Sequence, residues 1–185
     1  MEVIILYVER HAEKIINRLS KMFGAVLVTG ARQVAKITLL RKSIPIAEWI
    51  SLDDPIILNS ARNEASTFLK EHDTPLFIDE IQCAQQLFSQ LKMIIDRSSE
   101  KALFFLSASQ QFHMMKNVSE SLAGRVGIIT LPGISLREEC GMDFTEPFIP
   151  KIEYFESRKK FAQYSAKRCL ENNSSRPYAS ACSKR

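Results

Sequence analysis

The sequence predicts an α/β protein of three layers, with a central, mainly parallel sheet of five strands. Short apolar runs of strand length alternate along the chain with segments of helical periodicity. Each run is apolar on both faces, which is typical of strands buried within a parallel sheet. The five predicted strands are Ala25 to Thr29, Glu48 to Leu52, Leu76 to Ile78, Ala102 to Leu106 and Gly127 to Leu131.

The predicted helices precede and separate these strands. Between positions 10 and 23, apolar residues recur every three or four positions with charged residues between them, which indicates an amphipathic helix. After position 135 the pattern weakens, and only one or two helical turns and one charged helical stretch are predicted. The remaining predicted helices are Lys36 to Lys42, Pro55 to Glu71, Ala84 to Arg97, Leu136 to Cys140 and Lys151 to Leu170.

We expect a folded domain, residues 1–140, followed by a poorly structured basic tail, residues 141–185. Residues 151–185 hold 9 lysines and arginines against 3 acids, a net charge of +6, whereas the first 150 residues hold 16 and 18, a net charge of −2. The last fifteen residues are polar and serine-rich, so they bury too little apolar surface to offset the entropy lost on ordering. Because basic tails also bind phosphates, nucleic acid stays open as a partner.

The overall composition is that of an ordinary soluble globular protein. Of 185 residues, 45% are hydrophobic and 25% charged, and the mean hydropathy is −0.09. We expect no membrane span and no secretory leader, and therefore a cytoplasmic protein. The 4 cysteines and 3 histidines are widely scattered, so neither a disulfide framework nor a histidine or cysteine metal site is predicted.

Residues 26–40 have the layout strand, tight loop, lysine and helix, which is the outline of a P-loop. In the motif GxxxxGK[ST], backbone N–H groups surround the phosphates, the lysine reaches the β- and γ-phosphates, and the hydroxyl binds Mg²⁺. Gly30 and Lys36 fit, but Ala35 replaces the second glycine and Ile37 the hydroxyl residue. Thr38 follows one position later, rotated by about 100° on a helix. The other predicted nucleotide-binding residues are Ala31, Arg32, Gln33 and Val34.

A second polar cluster is predicted where two later strands end. Asp79 and Glu80 follow the apolar run 76–78 in the form of a Walker B element, in which Asp79 would hold Mg²⁺ and Glu80 would polarise the attacking water. Ser107 and Ser109 follow the next predicted strand, Ala102 to Leu106. In a parallel sheet they would lie beside the two carboxylates and orient water or sense the γ-phosphate. A serine N-cap at a plain strand-to-helix turn is the alternative interpretation.

Taken in order, GARQVAKITLL, SLDDP, LFIDEIQ and SASQQFHMMKNVSESLAGRV resemble the AAA+ family of prokaryotic predicted ATPases over about residues 7 to 140. In that family an N-terminal P-loop domain is joined to a C-terminal domain of unknown function that is nuclease-like in some descriptions. The likeness fades soon after the segment Arg137-Glu138-Glu139. The sequence therefore leads us to expect a truncated or frame-shifted product that lacks the second domain.

The resemblance implies ATP and Mg²⁺ as cofactors, with Gly30 and Lys36 on the phosphates, Asp79 on the metal and Glu80 on the water. It also implies Ser107 or Ser109 as first sensor, and Arg125 as an arginine finger or sensor toward a neighbouring subunit, which would require self-association. The family patterns are GARQVGKTTLL and LTGSQQF, and this chain departs from them at Ala35, Ile37, Ser107 and Ala108.

These departures predict weak ATP binding and slow or no hydrolysis. Two other function classes stay open. One is a non-catalytic remnant of the fold, or interaction module, that has kept the sheet and lost the nucleotide. The other is a DNA-associated protein whose basic tail contacts phosphates.

Overall fold

The computed structural model describes residues 7–44, 48–109, 121–139 and 150–159. By its internal contacts the chain divides into two units, Glu9–Gly133 and Met1–Val8 with Ile134–Arg185. The site and the sheet described below lie in the first unit. Within the described ranges, no helix is long and apolar enough to cross a membrane.

A five-stranded sheet, parallel throughout, forms the centre of Glu9–Gly133. The strand order is β2-β3-β4-β1-β5, so the first strand in the chain lies between β4 and β5. Every residue of β1 is buried, which explains its unbroken apolar sequence. The predicted sheet is thereby confirmed, with strands β1 Ala25–Gly30, β2 Glu48–Ser51, β3 Leu76–Asp79, β4 Phe104–Ser109 and β5 Val126–Thr130.

Helices cover both faces of this sheet and complete three layers. Side chains alternate between faces along a strand: Ala25 and Leu27 join one buried cluster with residues of the helices α3 to α5, whereas Val26 and Val28 join another with α1 and α2. The helices are α1 His11–Met22, α2 Lys36–Ser43, α3 Pro55–Asn63, α4 Ala65–Lys70, α5 Leu87–Arg97, α6 Leu136–Glu139 and α7 Ile152–Lys159, with a 3₁₀ turn at Ile81–Cys83.

Two predicted helices differ from the structure. The helix expected over Pro55 to Glu71 is interrupted at Glu64, whose φ of −129° and ψ of 44° are not helical. Apolar spacing does not reveal this interruption, because Ala61, Phe68 and Leu69 all pack into the same cluster. The helix expected from Ala84 begins at Leu87, after the 3₁₀ turn.

The second unit contains α6 and α7. Helix α6 accounts for the one or two turns predicted after Ser135, and Glu138 there accepts hydrogen bonds from the backbone N–H and hydroxyl of Ser135 at 2.8 and 3.0 Å. Helix α7 lies within the charged stretch Lys151 to Leu170, for which a helix was predicted, inside the tail expected to be poorly structured. The serine-rich last fifteen residues lie outside the described ranges.

Candidate nucleotide-binding site

Apart from Arg125, the predicted site residues lie at or just after the ends of three adjacent strands, β3, β4 and β1, at the carboxyl edge of the sheet. In register, Gly30 at the end of β1 lies opposite Ser109 of β4, and Val28 lies opposite Ser107. Ile78 of β3 lies opposite Leu106 of β4, so Asp79 comes level with Ser107. Because the sheet is parallel, the loop after β1 and the acids after β3 share one edge.

Lys36 is the first residue of α2, and its side chain folds back over the loop. The ammonium Nζ donates hydrogen bonds to the carbonyl oxygens of Gly30 at 3.1 Å and Ala31 at 3.0 Å. Burial lowers the pKa of Lys36, while the negative charges of Glu80 and Asp79 act in the opposite direction. The lysine therefore lies within electrostatic reach of both acids.

Ala35 has the backbone conformation that the missing glycine would supply without strain. Its φ of 64° and ψ of 38° are left-handed, and it is the N-cap of α2. Gln33 is also left-handed, with φ of 65°. A left-handed L-residue costs about 1–2 kcal/mol. The sequence marked Ala35 only as the residue that replaces the second glycine, and the structure adds this backbone strain.

Gly30 is required where β1 passes into the loop. A Cβ atom built on Gly30 would lie 2.5 Å from the carbonyl oxygen of Leu131 and 3.2 Å from a methyl carbon of Val34. The Leu131 N–H in turn donates to the Thr29 carbonyl oxygen at 2.7 Å, which fixes this strand end beside β5. The loop is thus packed closely against the segment that follows β5.

Ile37 and Thr38 are both exposed at the start of α2. Ile37 presents a hydrocarbon side chain, 40% exposed, where the motif has a metal-binding hydroxyl. Thr38 is the next residue of the helix, and its role as a nucleotide-binding residue stays a prediction.

Asp79 and Ser107 form a buried pair. Asp79 is 7% exposed and Ser107 is fully buried, and the Ser107 hydroxyl donates a hydrogen bond to Asp79 Oδ1. Burial raises the pKa of Asp79, the hydrogen bond from Ser107 lowers it, and the charge of Glu80 raises it further. The carboxylate oxygen and the serine hydroxyl are the kind of oxygen ligands that Mg²⁺ takes.

Glu80 is held by a second serine and by a glutamine. Its Oε2 accepts hydrogen bonds from the Ser109 hydroxyl at 3.0 Å and from the Gln82 side-chain amide. Gln82 also donates to the Ser109 hydroxyl at 2.9 Å. The backbone of Glu80 is left-handed, with φ of 52°, at the start of the 3₁₀ turn that returns Gln82 toward it. These contacts fix the direction of the Glu80 carboxylate.

Arg125 lies at the other edge of the sheet. It immediately precedes β5, and its carbonyl oxygen accepts from the N–H of Ala25, the first residue of β1, at 3.1 Å. Its guanidinium pairs with Asp96 through two contacts of 2.5 and 2.9 Å. Within one subunit Arg125 is therefore not part of the site. A role toward a neighbouring subunit stays a prediction.

Sequence reasoning assigned no role to two residues of the site. Gln82 is the last residue of the LFIDEIQ segment, two positions after Glu80. Its place in the turn directly after the two acids is the sequence feature that could have identified it. Arg10 was interpreted as one of the charged residues of an amphipathic helix, but it is buried against the P-loop, and its Nη1 donates to the Val34 carbonyl oxygen at 3.3 Å. No local pattern marks that contact.

The parallel sheet, the loop with its lysine and the two acids define the class: this is a P-loop nucleoside triphosphatase fold. Residues 23–140 match the model of the AAA domain family, and the chain belongs to that family. This confirms the family expected from the sequence motifs.

Two curated proteins are similar in sequence to this chain. Two proteins described as uncharacterised, from Mycobacterium bovis and Mycobacterium tuberculosis, are each 33% identical over 124 residues, which is 61% of this chain and 26% of the relative. The chain thus spans about a quarter of the length of these curated relatives.

Two solved structures also resemble it. One is a Signal Transduction ATPase with Numerous Domains, with a tetratricopeptide repeat sensor, from Pyrococcus horikoshii, at 14% identity and a TM-score of 0.46, over 90% of this chain and 28% of that one. The other is RIF2 of Saccharomyces cerevisiae, at 12% identity and a TM-score of 0.42, over 88% and 66%.

Proposed function

We propose that this AAA domain binds ATP with Mg²⁺ weakly and hydrolyses it slowly or not at all. The observation that carries the proposal is the grouping of Lys36, Asp79 and Glu80 at one edge of the sheet, beside a loop in which Ala35 has a left-handed conformation that glycine adopts without strain. Adjacent acids at a strand end are common by themselves. Their position at the end of β3, separated by β4 from the strand that precedes the buried lysine, supports a phosphate and metal site.

Each group has a chemical task in this proposal. Lys36 would exchange its carbonyl partners for phosphate oxygens, and Asp79 with Ser107 would hold Mg²⁺, which neutralises phosphate charge when bound. Among the described residues, no three histidine, cysteine, aspartate or glutamate side chains converge to hold a metal. The ion would therefore take its other oxygens from ATP and water. Glu80, held by Ser109 and Gln82, would orient the attacking water.

The proposed defect lies in the loop. Ala35 holds a left-handed conformation at the point where the backbone must approach phosphate. Ile37 supplies no oxygen to the metal. Both changes weaken the binding of nucleotide, whereas the acids that serve hydrolysis keep their positions.

The test is calorimetric titration with ATP and Mg²⁺ of the unmodified protein and of the double variant Ala35→Gly, Ile37→Thr. We expect weak binding by the first and clearly tighter binding by the second. Glu80→Gln, added to the double variant, should abolish turnover and preserve binding. Micromolar or tighter binding by the unmodified protein would show that the loop tolerates both changes.

A second candidate is an interaction module without nucleotide. It is favoured by the lysine itself, because Lys36 already has two carbonyl partners and a pKa lowered by burial. Failure of both proteins to bind any nucleotide would support this candidate. Salt-dependent DNA retention that is lost on deleting residues 151–185 would instead support a DNA-associated protein.

We also propose the wider organisation of the chain on the basis of its sequence. Residues 1–140 would form the cytoplasmic ATPase domain, and residues 141–185 a basic tail. Self-association through Arg125 would bring that side chain to the nucleotide of a neighbouring subunit. Sedimentation velocity with and without ATP tests the self-association directly.

A further inference from the structure

Arg10 is a buried cation that joins two distant segments beside the P-loop. It is 4% exposed and stands at the N-cap of α1. Its Nη1 donates to the carbonyl oxygen of Val34 at 3.3 Å. Its Nη2 donates to the carbonyl oxygens of Pro132 at 2.8 Å and Gly133 at 3.3 Å. One guanidinium thus connects the end of the P-loop with the segment after β5.

The Val34 carbonyl is a sensitive point of the loop. Val34 directly precedes the left-handed Ala35, and its side chain is 2% exposed. Orientation of the peptide group between Val34 and Ala35 decides where the N–H of Ala35 points. In P-loops such N–H groups surround the phosphates. A hydrogen bond to the Val34 oxygen therefore fixes the orientation of this peptide group and with it the direction of the Ala35 N–H.

The backbone of Arg10 is itself anchored. Its N–H donates to Glu13 Oε1 at 3.0 Å, and its carbonyl oxygen accepts from the Glu13 N–H at 3.0 Å. This reciprocal cap holds the first turn of α1, from which the guanidinium reaches the loop. The arginine is thus anchored at its own backbone and bonded to both segments at its guanidinium.

We propose that Arg10 is a positioning residue for nucleotide binding, which holds the P-loop in its phosphate-binding form by bridging Val34 to Pro132 and Gly133. The proposal rests on the proposed function, since it concerns the same site. Its physical basis is the planar guanidinium, which presents several N–H donors in a fixed geometry. A lysine ammonium is a point charge on a flexible stem and would not reproduce the bridge.

Two variants separate the bridge from the charge. Arg10→Met removes both, and Arg10→Lys keeps the charge alone. Arg18→Met is the matched control, because Arg18 is an exposed arginine on the same helix. Each substitution is made in the unmodified protein and in the repaired background Ala35→Gly, Ile37→Thr.

The first measurement is hydrogen exchange of the amides of residues 31–36 without nucleotide. Both Arg10 variants should speed this exchange by about tenfold, the size expected for losing a hydrogen bond to a charged group. The second is calorimetric ATP affinity in the repaired background, at a temperature where all variants are folded. Both Arg10 variants should lose about tenfold in affinity, and Arg18→Met should change neither quantity.

A lower melting temperature with unchanged exchange and affinity would overturn the proposal and leave Arg10 a stabilising residue only. Full rescue by Arg10→Lys would also overturn it, since charge alone would then suffice. If the repaired parent bound no ATP, the proposed function would fail, yet the exchange measurement would still decide whether Arg10 orders the loop. If Arg10→Met did not fold, Arg10→Lys would carry the comparison.

Discussion

Replacing Ala35 by glycine should stabilise the protein and tighten ATP binding at the same time. Ala35, the N-cap of α2, has φ of 64° and ψ of 38°, a conformation that glycine adopts without steric cost. Most substitutions to glycine destabilise proteins, because glycine has more freedom to lose on folding. At Ala35 the expected change in stability has the opposite sign, because the left-handed backbone conformation is strained by a Cβ atom.

The expected magnitude follows from two opposing contributions. Relief of the left-handed strain is worth about 1–2 kcal/mol, and the extra entropy lost by glycine is about 0.5–1 kcal/mol. The net gain in the free energy of unfolding is about 0–1.5 kcal/mol, with a midpoint of about 0.75 kcal/mol. For a chain of this size the midpoint corresponds to a melting temperature higher by about 1.5–3 °C.

Thermal unfolding and calorimetric ATP titration measure the two effects, with Ala102→Gly as the matched control. Ala102 is left-handed too, with φ of 57°, but it lies at the amino edge of the sheet, where its N–H donates to the Phe23 carbonyl oxygen at 2.9 Å. It should gain stability without any change in ATP affinity. A lower melting temperature for Ala35→Gly beside a higher one for Ala102→Gly would refute the reasoning about the loop.

Three further results are expected. Burial raises the pKa of Asp79 above its usual value of 3.8. The contribution of Asp79 to folding stability is therefore complete below pH 3.8 and is lost as the pH rises through the raised pKa. Asp79→Asn should raise the melting temperature at pH 7 but not at pH 3, and it should weaken Mg²⁺-dependent ATP binding. A lower melting temperature at pH 7 would contradict this. Gln82→Ala in the repaired variant should slow turnover at unchanged ATP affinity, because Gln82 contacts Glu80 and not the loop; an equal loss of affinity would argue against it. Arg125→Ala should leave the ATP affinity of the monomer unchanged in titrations, because Arg125 and its partner Asp96 lie at the edge of the sheet opposite the candidate site. A tenfold loss of affinity would place Arg125 at the site.

The sheet and the two acids were predictable because their signals are local. A strand covered by helices on both faces is mostly apolar, and the central strands β1, β3 and β4 are almost wholly buried. The edge strands β2 and β5 are partly exposed, but their apolar residues still marked them in the sequence. Parallel strands end at a common edge, so Asp79, Glu80 and the two serines could be grouped from their order alone. The structure brings these side chains together as expected.

The features that sequence reasoning missed depend on contacts between distant segments or on backbone conformation. Arg10 lies 24 residues from Val34 and 122 from Pro132 along the chain, and helical periodicity describes only neighbours within a few positions. The interruption at Glu64 is hidden because both helices bury apolar side chains in one cluster. The left-handed φ of Ala35 is invisible unless a glycine marks it.

The departures from the family pattern have different physical consequences on β4 and in the loop, and this difference supports a defect in the loop. Ser107 replaces a threonine but keeps the hydroxyl, and that hydroxyl donates to the Asp79 carboxylate. Ala108 replaces a glycine, yet it lies fully buried within β4, opposite Thr29 of β1, where a small side chain is accommodated. In contrast, Ala35 adds backbone strain, and Ile37 puts a hydrocarbon side chain where the motif has a metal-binding hydroxyl. The changes on β4 keep a hydroxyl beside the acids, whereas we propose that those in the loop weaken the binding of nucleotide and metal, so repair of the loop alone is the decisive experiment.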